Sequence, residues 1–285
     1  MDYLICTGAS FAFIASFYMW PQERRFMYWG IRSLRIATED STIYIDRDSD
    51  DTIRRRTISF LQICALSSAF LASRSVFSAK TPPSSVRGLL LSTGRAATSA
   101  LVLFTGPLVD KVALREFVVE ESWLRRWRTY FLCPIGEELF FRGTLFALLS
   151  RRSHAAQIGV AALLFALSHS HHVVSWACEE YIDRSAEATV INDADLQRTC
   201  WRAAARKLAF VYVFTGAFGA LSGYYYLHIC EGSISAIAVV HAICNVIGPP
   251  TFAVLRSPSF SPLMKLVSAT AYVSGVAGWM LALLH

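Results

Sequence analysis

An all-α, polytopic membrane protein of about eight transmembrane helices around an intramembrane polar cavity is the fold class this sequence predicts. Three observations predict it. The 285 residues are 54% hydrophobic, with a mean hydropathy of +0.41. Only 17% are charged, against about 25% in a typical soluble domain. Apolar stretches long enough to cross a bilayer, or nearly so, recur about eight times along the chain. The formal charge of +6 lacks the clustered basic stripe that nucleic-acid binding requires, so membrane lipid, not nucleic acid, is the expected partner. Seven cysteines are scattered without a Cys-x-x-Cys pair, which predicts neither a disulfide framework nor a zinc knuckle.

The spans are expected at 3–20, 57–73, 88–106, 129–149, 156–178, 208–228, 232–254 and 263–284. The first is followed by Arg24 and Arg25 and has no basic residues before it, the pattern of a signal anchor that starts outside. The second is short, and the third carries Arg95 within its apolar run. Between spans, 21–56 alternates seven acids with eight arginines and reads as a solvated loop or partly helical insert. Residues 79–86 read as a Pro-Pro turn. Residues 107–128 lead into a Trp/Tyr/Arg mixture, Trp123 to Tyr130, typical of an interfacial anchor. Residues 179–207 carry Glu179, Glu180, Asp183, Asp193 and Asp195. Both 21–56 and 179–207 are expected as polar cytosolic loops of one integral-membrane domain covering 1–285, with a catalytic core at 123–254.

Charge sets the orientation. Loops 21–56, 107–128, 179–207 and 255–262 hold about 19 Lys and Arg, and the alternate loops about five. The positive-inside rule places the first set in the cytosol. Polar groups of the fourth, fifth and seventh spans then fall at one depth, roughly 12–20 Å below the cytosolic surface at 1.5 Å per residue.

Those groups carry the chemistry. An ionised side chain near the bilayer centre costs about 2.5–3.5 kcal/mol on insertion scales, so it is rare without a partner or a wet cavity. The fourth span contains Glu137-Glu138-x-x-x-Arg142. Glu138 and Arg142 share a helix face and can form an ion pair, whereas Glu137 is rotated about 100° away and can face a cavity as a general base. The fifth span contains His169, His171 and His172. His169 and His172, three apart, can bind metal or shuttle protons. His171 reads as an interfacial histidine. The seventh span contains His241 and Asn245 one turn apart. Both can donate to one oxygen, which an oxyanion site requires, or can serve as interhelical polar glue. No Gly-x-Ser-x-Gly elbow and no His-Glu-x-x-His occur, so neither a serine hydrolase nor an ordinary zincin is expected.

Three strings together, Pro134 to Arg142, Phe165 to His172 and His241 to Pro249, resemble the type II CAAX prenyl endopeptidases. These are the Ras-converting enzymes within a wider superfamily of intramembrane glutamate-type proteases. The resemblance covers about 123–254. It implies removal of the aaX tripeptide from prenylated CAAX proteins such as Ras-like small GTPases, in the endoplasmic reticulum membrane, with the active site facing the cytosol. It implies that Glu137 activates water with help from His169. His241 and Asn245 would hold the oxyanion, with Glu138, Arg142 and His172 in support. No cofactor is expected; if a metal were used, Glu137, His169 and His241 would ligate it. Phe140, Phe141, Phe146 and Phe165 are candidates to line the substrate cavity. The alternatives are a related intramembrane peptidase with an unprenylated substrate and a non-catalytic membrane scaffold or transporter.

Overall fold

A computed structural model describes residues 1–75, 85–116, 122–187 and 192–284. Most of the Pro-Pro turn expected at 79–86, and short parts of the 107–128 and 179–207 segments, lie outside the described residues. No strand occurs among the described residues, so the all-α class expected from composition is what is observed. The chain divides into two compact units: unit 1 comprises Met1–Arg74 and Phe140–Gly223, and unit 2 comprises Ser75–Leu139 and Tyr224–His285.

Unit 1 begins with α1 (Asp2–Ser16), which is bent by 101° against α2 (Pro21–Arg32). Pro21 suits the first turn of α2, because its missing N–H would have no helical partner there. Next come α3 (Leu34–Glu39) and the long α4 (Asp50–Ser75). After the other unit's first segment the chain returns in α9 (Leu145–Leu148), α10 (His154–Ser168), α11 (Val173–Glu187) and α12 (Asp193–His228). α1 lies against α9 and α10. The residues just before α9 add aromatic contacts to both: Phe13 of α1 stacks on Phe140 at 4.8 Å, and Phe165 of α10 meets Phe141 edge-on at 5.0 Å.

The two segments expected as polar loops are largely helical. Phe26, Leu34, Ala37 and Ile43 from the first form one buried cluster with Val174, Cys178, Leu196 and Cys200. Polar bonds tie the same helices together. Asp193 accepts from the Tyr181 hydroxyl at 2.7 Å and from Gln197 at 2.8 Å. The Gln197 carbonyl oxygen in turn accepts from the Leu34 N–H at 3.2 Å. Their apolar residues recur too sparsely to read as a span, yet one helix face suffices to form a core. At 36 residues α12 is about 54 Å long. That exceeds a hydrocarbon core of about 30 Å, so polar residues from Asp193 to Lys207 extend the helix that the apolar residues place in the bilayer.

Unit 2 contains α5 (Val86–Leu103) and α6 (Thr105–Leu114), bent by 65°. Pro107 sits just past the bend and cannot donate to the Leu103 carbonyl, which removes the bond that would keep the helix straight. A Cβ at Gly106 would lie 2.4 Å from the Tyr272 ring, so only glycine admits the approach of α15 (Pro262–Leu284). The contact is closed by Asp110, 2% exposed, which accepts from Ser268 at 2.6 Å and from Tyr272 at 3.1 Å. The unit also contains α7 (Trp123–Trp127), a π-helical turn (Arg128–Leu132), α8 (Cys133–Glu138), α13 (Ile234–Ile247) and α14 (Ala253–Arg256). A second π-helical turn, Leu139–Thr144, carries the chain from unit 2 into unit 1.

Among the described residues, four helices are long and apolar enough to cross a membrane, or six if each bent pair counts once. Eight were expected. The shortfall has two physical sources. The 129–149 run is broken into short helical pieces by π turns, and the 232–254 run yields a 14-residue helix of about 21 Å.

Candidate active site

Unit 2 brings Glu137, Glu138, His241 and Asn245 together; unit 1 carries Arg142, His169, His172 and the four phenylalanines. In unit 2, His241 lies between two carboxylates. Its Nδ1 is 2.7 Å from Glu138 Oε1, and its Nε2 is 3.7 Å from Glu137 Oε2. An ionised carboxylate only accepts, so Nδ1 carries the proton and the neutral ring keeps its lone pair on Nε2. The side chains of Glu138, His241 and Glu137 are 0%, 5% and 21% exposed. The cluster therefore runs from a buried anchor to an accessible acid. The sequence pattern had turned the two glutamates to different surroundings, but an imidazole presents a nitrogen on each edge and so reaches both.

Asn245 bonds to a group that the sequence reading did not name. Its amide nitrogen donates to the Thr129 carbonyl at 2.9 Å. The cause is local. In the first π turn the Cys133 N–H bonds to the Arg128 carbonyl. The next bond in that register would run from residue 134 to Thr129, but residue 134 is proline and has no N–H. A buried carbonyl left without a donor is costly, and Asn245 supplies one from α13. Thr129 was not singled out by the sequence reading. Pro134, five residues on in a stretch that departs from α-helix, is the signal that could have found it.

An apolar groove of about 520 Å³ lies on the same two elements, between Tyr130, Pro134 and Ile135 on one side and Ala238, Ala242 and Val246 on the other. It shares α8 and α13 with Glu137 and His241, and Leu101 of α5 and Leu108 of α6 complete its lining.

In unit 1, Arg142 is fully buried. Its Nη2 donates to the Gly219 carbonyl at 3.1 Å, and its guanidinium lies 4.9 Å over the Phe165 ring. His169 opens the 3₁₀ turn His169–His172. Its Nδ1 is 2.9 Å from the Phe165 carbonyl, an acceptor only, so Nδ1 is the protonated nitrogen and Nε2 keeps its lone pair. His169 and His172 share a face, as their spacing predicted, with ring centroids 6.0 Å apart, because residues three apart eclipse in a 3₁₀ turn. His171 bonds through Nδ1 to the Ser168 carbonyl at 2.6 Å.

Phe140, Phe141, Phe146 and Phe165 are at most 5% exposed. The rings of Phe140, Phe141 and Phe165 pack on other aromatic rings, and Phe146 lies against Gly223. As core residues of unit 1 they offer little surface to a substrate, contrary to the lining role expected of them. The bulk that made them candidates also makes them efficient core fillers. Among the described residues, no group of three His, Cys, Asp or Glu side chains is arranged to hold a metal ion.

The chain is similar to CAAX prenyl protease 2 of Saccharomyces cerevisiae (strain ATCC 204508 / S288c), with 25% identity over 166 residues, covering 53% of this chain and 47% of the relative. The match thus spans about half the length of that curated relative. No solved structure matches the chain. Residues 119–247, which include Glu137, Glu138, Arg142, His169 and His241, match the type II CAAX prenyl endopeptidase Rce1-like family.

Proposed function

We propose that the protein is an intramembrane endopeptidase that removes the C-terminal aaX tripeptide from prenylated CAAX proteins by glutamate-activated water. The observation that carries the reading is the position of His241, with Nδ1 2.7 Å from Glu138 and Nε2 3.7 Å from Glu137. Two acceptors at that separation are too far apart to bond directly but can share one water. The water donates one hydrogen to Glu137 and the other to His241 Nε2, which turns its lone pairs outward. Glu137 takes a proton as water adds to the scissile carbonyl, then returns it to the leaving amine. His241 Nε2 holds the second hydrogen of that water, now the hydroxyl of the tetrahedral intermediate, and takes it as the intermediate collapses to the product carboxylate; Glu138 stabilises the imidazolium so formed from the other edge, and the proton then passes to solvent. Asn245 positions the π turn through Thr129. His169 enters on the family resemblance, with Nε2 as its working nitrogen.

The apolar groove supports a lipidated substrate. A prenyl chain gains about 0.8 kcal/mol for each CH₂ it buries, and the groove is built on the two helices, α8 and α13, that carry Glu137 and His241. By the family resemblance of its motifs, the substrates would be Ras-like small GTPases and the setting the endoplasmic reticulum membrane; the loop charges would turn the site to the cytosol.

The test compares a prenylated CAAX peptide with its unprenylated twin, each with and without chelator. Tripeptide release from the prenylated peptide alone, insensitive to chelator, is expected. Equal cleavage of the bare peptide would replace this reading with a general intramembrane peptidase. Loss of activity on chelation, restored by a divalent cation, would replace the metal-free mechanism. No cleavage of either peptide would leave the scaffold or transporter reading.

A further inference from the structure

Arg95, which interrupts the third apolar run, has no place in the proposed chemistry. It lies near the middle of α5, nine residues after Val86 and eight before Leu103. Such an arginine calls for a partner or a polar cavity. A cavity of about 770 Å³ in unit 2 supplies the second. Arg95 lines it together with Glu231, and Leu90, Leu91 and Val102 form part of its apolar wall. Among the described residues, neither Arg95 nor Glu231 makes a hydrogen bond or an ion pair, with each other or with any other side chain. Glu231 also has a left-handed backbone, with φ of 51°, a conformation that L-residues adopt at a cost and that clusters at ligand clamps.

A cation and an anion that share a cavity without pairing, beside an apolar wall, match a ligand that carries both charges and a hydrocarbon chain. We propose that this cavity holds a zwitterionic phospholipid of the surrounding bilayer. The phosphate sits on the Arg95 guanidinium, whose planar fork suits phosphate oxygens. The ammonium faces the Glu231 carboxylate, and an acyl chain follows Leu90, Leu91 and Val102. An anionic lipid would satisfy Arg95 but set its headgroup against Glu231. Inorganic phosphate would leave the apolar wall uncovered.

The experiment is lipid binding by native mass spectrometry on the full-length protein, purified in detergent, delipidated and titrated with phosphatidylethanolamine or phosphatidylglycerol. Wild type is expected to retain one phosphatidylethanolamine and to prefer it over phosphatidylglycerol by about tenfold. Arg95→Gln should weaken both lipids about tenfold or more. Glu231→Gln should abolish the preference while keeping phosphatidylglycerol binding. Leu91→Trp, which fills the cavity without touching either charge, should weaken both, and serves if Arg95→Gln does not fold. Peptide cleavage in matched detergent should be unchanged in all three variants, so this site and the proposed active site fail independently. Equal retention by wild type, Arg95→Gln and Leu91→Trp, or no preference for the zwitterionic lipid in wild type, would overturn the proposal.

Discussion

Among the described residues, two glutamates are buried to 0% exposure, one in each unit, and their partners differ in kind. In unit 1, Glu23 lies 3.0 Å from Arg56 and 3.6 Å from Arg55. In unit 2, Glu138 lies 2.7 Å from His241. Arginine keeps its charge at any working pH, so the Glu23 cluster acts as a lock between α2 and α4. Imidazole gains and loses a proton near neutrality, and its second nitrogen remains available. A buried acid held by arginine fixes structure; one held by histidine sets up proton transfer to a third group, here Glu137.

The sharpest test of this contrast removes the accessible acid. Glu137→Gln keeps the shape and loses the base, and should lower kcat at least about a thousandfold, at the upper range for general acid–base catalysis, with thermal unfolding unchanged. Measurable turnover near wild type would end the proposed mechanism. Next, Glu23→Ala strands two arginines and should cost roughly 3 kcal/mol of stability, the low end for a broken buried pair because both arginines keep some solvent contact. Its kcat should stay within about twofold of wild type; a large loss of turnover in a folded Glu23→Ala protein would erase the distinction between the clusters.

Glu138→Gln should show the opposite pattern: a fall of about a hundredfold in kcat, since the amide can bond to His241 while neither stabilising the imidazolium nor enforcing its tautomer, with only a small change in melting temperature. Asn245→Ala leaves the Thr129 carbonyl without its donor and should cost about 1–2 kcal/mol in thermal unfolding. A drop in kcat with unchanged stability would instead put Asn245 on the oxyanion. The smallest effect is expected from Ala242→Trp, which fills the apolar groove and should raise KM for a prenylated peptide about tenfold, or roughly 1.4 kcal/mol, with kcat preserved.

The buried acids show where sequence reading succeeds and where it stops. Glu137 and Glu138 stand out because charge in an apolar run is expensive wherever it lies, and His169, His241 and Asn245 follow from the same rule applied to later runs. Glu23 gave no such signal, because it sits among other charges in a segment whose composition reads as solvated. The identity of each partner was equally hidden. Helical spacing could suggest Arg142 for Glu138, but no spacing rule reaches its bond to His241, which joins residues 103 positions apart. Asn245 was matched with His241 by one-turn spacing, while its observed bond goes to a carbonyl orphaned by Pro134.

By itself the sequence determined that this chain is helical, that it belongs in a membrane, and which few polar residues there need an explanation. These follow from hydropathy and from the cost of buried charge, both local and additive. Only the tertiary structure decided that two charged segments fold into a helical core, that four phenylalanines fill an interior, and that His241 faces two carboxylates at once. Those outcomes depend on which helix faces meet and on where a proline interrupts a hydrogen-bond register, and pairings between distant positions leave no trace in local composition.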